Sequence, residues 1–559
     1  MLDIQKSREV LSQENAELKL QIEKLMHQLY GRKTERVIDD PNQLTLNFGD
    51  DDKSSDAVAD AVHEAQTIIQ EYTVRREIGR QKKTRNEQLP AHLPRYEVLA
   101  ETPDAVKQCP EHGEREVIGY DTTETLEFER PKLRVRVTKY PKFACVNHSE
   151  CGIAQPERVT GLVEGNRYDA SVAAEVITAK YGYHLPFYRQ QDLFAGSGWC
   201  PTRSTLLNIL TAAEFVLRPL ANYCRKLLLT DEVIGCDETP VTLITPKALP
   251  ELTSDSVRSR RRHEVLAEAM AKQRPSLTAR MWAYRGVSVP INVFDFTVSR
   301  ERYGPDDVLS DFQGYLMGDC WSGFQRIDVR SDWRIVRVAC WAHARRKILA
   351  CQSSHPLQAS VLLAMIRQLY DIEDRGKTLT VQDRLSLRQS DSVTVLNNIR
   401  AYLDGAAVTL PNVLPKSDFA SAVGYLNNHW AQLNVYTTDG SIPLDNNDTE
   451  QLMRQVALGR KNWLFVGSPD AGDRAATLLT LVSTAVRNDL DVWAYPKDAM
   501  ELLLAGSTDY ESLRADVWKQ SHPDFVRIYR TEERRNAADR TRLTRAQRRV
   551  ANAKKQNAK

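Results

Sequence analysis

Long apolar runs are missing from this 559-residue chain. No stretch approaches the length of about 18 residues that a bilayer-spanning helix needs, and mean hydropathy is −0.47, so no membrane partner is expected. The N-terminal MLDIQKSREVLSQENAELK alternates charge and has no apolar segment of the signal-peptide kind, so export is not expected. Cysteine is scarce: nine residues, an odd number, thinly spread. They are expected as reduced thiols or metal ligands in a cytoplasmic, nucleoid-associated protein. Net charge is nearly absent too, at +2, but it is unevenly distributed. From Arg527 to Lys559 there are 12 Lys or Arg against three acids, a local +9 that leaves −7 for the preceding residues. A basic tail on a mildly acidic body suits a polyanion, and it equally suits a tail that only solubilises.

What the chain does have is 42% hydrophobic and 27% charged residues, enough for a large core divided over roughly three or four domains. Leu11, Leu18 and Leu25 recur every seven residues, Ile22 and Leu29 complete the seam, and Asn15 occupies an a position. This predicts a coiled coil over 1–35 and self-association through it. Residues 36–95 are poor in apolar side chains and read as a linker. Over 96–160 the pattern turns to period two. Residues 125–128 and 133–137 alternate apolar and polar around Pro131, as hairpin strands do. Cys109 and His112 precede that hairpin, and Cys145 and His148 follow it, with Cys151 an alternative to His148. Two ligand pairs on tight turns are what a tetrahedral Zn²⁺ needs, so a zinc-ribbon-like β module is expected.

Residues 161–228 read as a helical DNA-binding segment. A helix from Tyr188 to Ala195, the turn Gly196-Ser197-Gly198 and a second helix beginning near Arg203 resemble a helix-turn-helix, with Arg203 facing DNA. From 229 the chain reads α/β, with short apolar runs at 233–236, 241–244, 280–285, 291–296, 314–318 and 334–340. The charged stretch 249–275 reads as an exposed insertion. A helical insertion over 346–439, with apolar spacing at Leu362, Leu363, Ile366 and Leu369, divides an α/β domain of 229–345 and 440–500. Residues 501–559 form a C-terminal segment with the basic tail.

Three acids stand out by context. Asp237 follows the apolar run Val233–Cys236, Asp319 follows Tyr315–Gly318, and Glu450 starts a helix after Asp445-Asn446-Asn447. Two strand-end carboxylates and one helical carboxylate can hold a pair of Mg²⁺ (or Mn²⁺) ions for phosphodiester displacement. Each also has a plainer role: the aspartates in turns, Glu450 in a capping box with Asn447. On a helix, offsets of four and eleven residues rotate by about 40° and 20°, which sets Arg454 and Lys461 on the face of Glu450. If Gly459 ended that helix, the following loop would deliver Arg460 and Lys461 instead.

The wording around these acids tips the balance. Asp237-Glu238-Thr239-Pro240, Asp319-Cys320-Trp321-Ser322-Gly323-Phe324 and the Cys340–Lys347 run CWAHARRK occur in order. Asp445–Glu450 and the run from Gly459 to Ser468, GRKNWLFVGS, follow them. The string closely resembles the large transposase subunit of the insertion-sequence-66 family of bacterial mobile elements, over nearly the whole chain. The resemblance implies an RNase H-like α/β catalytic domain with Asp237, Asp319 and Glu450 as its DDE triad. It also implies element ends and target DNA as partners, and small accessory proteins encoded by the same element; beside it, the position of Arg454, Arg460 and Lys461 after Glu450, and of His343 at the head of a helix, sets these four near phosphate. The chain departs from the family in carrying Cys-Pro-Glu-His and Cys-Val-Asn-His where Cys-x2-Cys is usual, in the length of 249–275, and in its basic tail. A catalytically inactive zinc-containing DNA-binding regulator and a nuclease without strand transfer are the alternatives.

Overall fold

The apolar runs from Val233 onward build one mixed sheet. The structure, a computed structural model, describes residues 168–557 apart from 253 and 410–416. It also describes short pieces ahead of them: 66–67, 70, 108–109, 113–114, 133–137, 139, 143–144, 153–154 and 161–162. The sheet, its helices and the site belong to the compact unit that takes in Thr138–Leu193 and Cys200–Glu532, and 533–557 belong to a second unit.

Five strands make the sheet: β1 (Val233–Ile244), β2 (Ser276–Gly286), β3 (Asn292–Thr297), β4 (Gly314–Gly318) and β5 (Ile335–Ala339), in the order β3-β2-β1-β4-β5. β1, β2 and β3 are antiparallel, while β4 runs parallel to β1 and β5 parallel to β4. The runs 233–236 and 241–244 are one strand, not two. The polar Asp237-Glu238-Thr239-Pro240 between them stays in the ladder with β2 out to Ile244↔Ser276. β4 pairs only with Val233–Gly235, and that side of β1 is next paired at Leu243, with Val466, so Pro240 falls in the gap between them, where a proline without N–H is tolerated.

Four helices precede or interrupt the first strands: α1 (Ala170–Ile177), α2 (Phe187–Ala195), the 26-residue α3 (Arg203–Leu228), which packs on β3, and α4 (Val257–Ala271). α3 buries an apolar stripe of Leu206, Ile209, Leu210, Ala213, Leu217 and Leu220. The stretch 249–275, expected as exposed, contains α4 and is only partly so. Ser256 caps α4, Leu266 and Ala269 are buried, and Arg258 reaches Asp295 at 2.7 Å and Asp307 at 3.0 Å. Its arginines fold down because acids on the body await them.

After β5 come α5 (Trp341–Ala350), α6 (Pro356–Gly376), α7 (Val393–Thr409) and α8 (Asp418–Asn428). Leu362, Leu363, Ile366 and Leu369 are buried there with Trp341, Leu396, Ile399, Phe419 and Leu426, as their spacing predicts. Arg388 is 1% exposed, bidentate to Glu373 (2.8 and 2.7 Å), and donates to the carbonyls of Tyr436 and Asp439. The chain then returns through α9 (Asn447–Trp463), α10 (Pro469–Arg487) and α11 (Ala494–Leu504) and ends in α12 (Ile528–Asn557). The basic tail is therefore helical. No described helix is long and apolar enough to cross a membrane.

Two short hairpins appear ahead of this body, Gln108–Cys109 with Gly113–Glu114 and Phe143–Ala144 with Ile153–Ala154. Each brackets one of the ligand pairs. The strand expected at 133–137 does not form: the segment has no regular structure, and Leu133, Val135 and Val137 are 39%, 91% and 77% exposed, so its alternation has no buried face. The seam over 1–35, His112, Cys145, His148 and Cys151 lie outside the described residues.

Candidate functional site

Asp237 lies within β1, and Asp319 lies one residue beyond β4. Gly235 of β1 pairs with Met317 of β4, so carrying the parallel register two residues further sets the two aspartates side by side. Glu450 comes from the first turn of α9, which packs on β1 through a close approach at Gly235. A Cβ there would meet Thr449 Oγ1 at 2.1 Å and Asn446 Oδ1 at 2.9 Å, so only glycine admits the helix. Asn446, 2% exposed, ties the two elements: its Nδ2 donates to the Cys236 carbonyl (2.9 Å) and its backbone N–H to Cys340 Sγ (3.2 Å).

Glu450 is not a capping residue. Asn446 takes the N-cap position, which leaves Asn447 inside the helix, and the Glu450 carboxylate accepts from Arg346 instead. His343 Nδ1 of α5 stands 3.5 Å from Glu450 Oε1. The neighbouring acids point elsewhere: Asp445 accepts from Tyr370 Oη (2.9 Å) and Asn447, and Asp448 pairs with Arg285 of β2 (3.0 Å). α9 also runs unbroken through Gly459 to Trp463, so helical periodicity, and not a loop, delivers Arg460 and Lys461.

Electrostatics links the three acids. Burial pushes the Asp237 carboxyl up to about 7, with the charges of Glu238, Glu450 and Asp319 adding to the rise and a backbone amide at Glu238 opposing it. Glu238, 8% exposed, is raised by burial and held back by Arg300. Arg300 lies 2.6 Å from Glu238 Oε1 and 3.7 Å from Asp319 Oδ2, and its guanidinium is 5.3 Å from the Trp321 ring centroid. The Trp321 N–H donates to Asp319 Oδ1 (3.1 Å). Burial and the Arg346 charge lower His343 while Glu450 raises it, leaving it below its ordinary value and neutral at pH 7.

Among the described residues, the one trio of potential ligands whose atoms all lie within 4.8 Å of one another is Cys340, His343 and Glu450. Burial pushes the Cys340 thiol up to about 12 and its sulfur already accepts the Asn446 N–H, so it serves as a neutral structural thiol. The carboxylates of Asp237, Asp319 and Glu450 share one end of the sheet without closing to that distance.

Of the cations read from the sequence, Arg454 and Lys461 are exposed. Arg460 instead donates to Thr239 Oγ1 (3.0 Å) and the Pro240 carbonyl, and so fastens the end of α9 to the open edge of β1. Arg203 opens α3 and donates to Gln191 Oε1 of α2 (3.2 Å). Sequence reasoning did not single out Glu238, Arg300, Arg346 or Asn446. A signal existed for Arg346, three residues after His343 on one helix face, and none for Arg300, which arrives from the segment after β3.

Comparison with known proteins gives the family. The family model described as Transposase IS66 family matches residues 165–254 and 263–474, with its break inside the charged stretch before and within α4. The one described as Transposase C of IS166 homeodomain matches 17–98. The chain is 30% identical to the uncharacterized protein y4jD of Sinorhizobium fredii (strain NBRC 101917 / NGR234), over 90% of this chain and 94% of that one. It is 27% identical to y4hP of the same strain, over 86% and 85% of the two chains. The chain belongs to the IS66 transposase family.

Proposed function

We propose that this protein is a DNA transposase that hydrolyses the phosphodiester at the ends of a mobile element and joins the freed 3′-hydroxyl to target DNA. The observation that carries the reading is the parallel register that sets Asp237 beside Asp319, where burial first and then the charges of Glu238, Glu450 and Asp319 raise the Asp237 carboxyl to about 7. A half-buried group of like charges at the end of a parallel strand pair is a site in want of cations. The order β3-β2-β1-β4-β5, with its antiparallel half and its parallel half, supports an RNase H-like core.

The donor set fits Mg²⁺ or Mn²⁺. It is all oxygen and anionic, and Glu450 Oε1 is buried without a hydrogen-bond partner. Asp237, Asp319 and Glu450 would hold the ions, which when bound supply activation of the attacking oxygen and stabilisation of the leaving one. The chain's own residues do the rest. Trp321 N–H and Arg300 orient Asp319, Arg346 orients Glu450, and neutral His343 beside Glu450 holds an attacking water without adding charge. Arg454 and Lys461 on the exposed face of α9 line the route that the phosphodiester backbone takes from Glu450, and Arg203 contributes from α3.

Further parts of the reading rest on the sequence: self-association through 1–35, and one Zn²⁺ held by Cys109, His112 and Cys145 with His148 or Cys151. Small accessory proteins of the same element, in a cytoplasmic, nucleoid-associated setting, complete it. The test is cleavage of a labelled element end by the full chain with Mg²⁺. Asp237→Asn, Asp319→Asn and Glu450→Gln should each bind DNA and lose cleavage by orders of magnitude. Near-normal cleavage by Glu450→Gln beside two inactive Asp variants would remove Glu450 from the triad.

A further inference from the structure

The end of α9 carries side chains that neither the core nor the acidic site uses. Leu464 and Phe465 follow Trp463 and are 66% and 50% exposed. Leu464 has φ +63°, a conformation that costs a non-glycine residue energy and gains it no burial here. The tip is nevertheless rigidly mounted. Val466 N–H donates to the Thr242 carbonyl (2.7 Å) and its carbonyl accepts from Ile244 N–H (2.9 Å), so the loop is bolted to the strand that carries Asp237.

Cations surround this apolar tip. Lys461 is exposed one helical turn before it. Arg189 of α2 donates to Asn462 Oδ1 (3.1 Å) and stacks over the exposed Tyr188 at 5.5 Å. The turn Thr178–Gly182, which packs against α9 and α10, sets Lys180 Nζ 4.5 Å over the Phe187 ring and beside Arg474. Burial and the Arg474 charge bring the Lys180 ammonium down to about 8. No ion pair joins Lys180 or Arg474 to an acid among the described residues. Glu214, an acid of the same neighbourhood, is bidentate to Arg218 (2.9 and 2.7 Å). The acids after the loop, Asp470 and Asp473, are turned to Arg262.

A partner that satisfies exposed apolar side chains and several unpaired cations at once must offer flat apolar surface and dense negative charge together. Duplex DNA offers the charge but hides its base faces, whereas an unpaired strand offers both. We propose that this rim binds unpaired nucleotides, with Phe465 stacking on a base, Leu464 packing against its neighbour, and Arg189 and Lys461 holding the backbone. The proposal rests on the DNA reading above and adds the strand state that the site takes. Glu450 and Lys461 are eleven residues apart on one helix face, about 16 Å, which spans roughly five stacked nucleotides of a strand that reaches the acids.

The test uses the full chain and two labelled 30-mer duplexes of one sequence, one blunt and one with a six-nucleotide unpaired fork containing 2-aminopurine. The wild type should prefer the fork and brighten the probe, whose emission rises when its base leaves the stack of neighbouring bases. Phe465→Ala and Leu464→Gly, the latter suited to the positive φ, should each weaken fork binding about tenfold and abolish the brightening. Blunt-duplex binding should be unchanged. Lys461→Gln should weaken both duplexes alike. The proposal is overturned if the tip variants weaken fork and blunt duplex equally or neither. It is also overturned if they change the oligomeric state by light scattering with fork binding intact, which would make the rim a protein interface. Equal wild-type binding to both probes removes this proposal alone. Failure to bind either probe removes the DNA reading and this proposal with it.

Discussion

Asp237→Asn should stabilise the metal-free protein at neutral pH. The Asp237 carboxyl is pushed from its ordinary 3.8 up to about 7, first by burial and then by Glu238, Glu450 and Asp319. A carboxyl whose folded-state pKa lies above its unfolded value favours folding while it stays protonated. That contribution is complete below about pH 4 and is lost as pH rises through 7. The loss has a ceiling of about 4 kcal/mol once the group is ionised in both states. Asparagine keeps the shape and never ionises, so the variant should match the wild type near pH 4. It should overtake the wild type between pH 4 and 7 and keep a constant lead above that. Urea unfolding in chelator at pH 5, 6, 7 and 8 reads the difference directly. Adding Mg²⁺ should narrow the gap, because a cation that binds the ionised folded site stabilises the wild type and not the variant. A variant less stable than the wild type at pH 8, or a gap that does not change with pH, would refute the reasoning.

Gly235→Ala brings a Cβ to 2.1 Å from Thr449 Oγ1; it should cost about 1–3 kcal/mol by denaturant unfolding and abolish cleavage, because α9 must move off β1 and take Glu450 with it. Arg388→Ala strands Glu373, 16% exposed, without its partner and should cost about 3–5 kcal/mol; Arg388→Met with Glu373→Leu should recover most of that in the same unfolding experiment. Elemental analysis of the full chain should find one zinc per chain, and Cys109→Ala should remove it; a chain without zinc would leave the bracketing hairpins as plain turns.

The sheet was legible in the sequence because its strands are buried runs with little else in them. Val293, Phe294, Phe296, Leu316 and Met317 announce themselves. The continuity of β1 was not legible, since Asp237 to Pro240 between its two apolar runs is polar and carries a proline. Only the gap between β4 and Val466 along that side of the strand makes room for it, and such a gap is a tertiary fact. The helix of 257–271 was hidden in the same way. Its many arginines suggest solvent until Asp295, Asp307, Glu301 and Asp473 are brought to them from distant positions. At the site, the three acids could be named from their wording, but their cationic partners could not. Arg300 reaches Glu238 and Asp319 from after β3, and Arg460, which reads as a phosphate contact, is engaged by Thr239 and Pro240. The expected strand at 133–137 failed for the opposite reason, since alternation alone does not supply a surface to bury against.

The central claim, that one acidic site both cuts and joins DNA, is tested most directly by strand transfer. Purified full-length protein is given labelled element ends with free 3′-hydroxyls, supercoiled target DNA and Mg²⁺. The account predicts joined products that need Asp237, Asp319 and Glu450 alike and disappear with chelator. Hydrolysed ends with no joined product would contradict it, as would joining that survives Asp237→Asn.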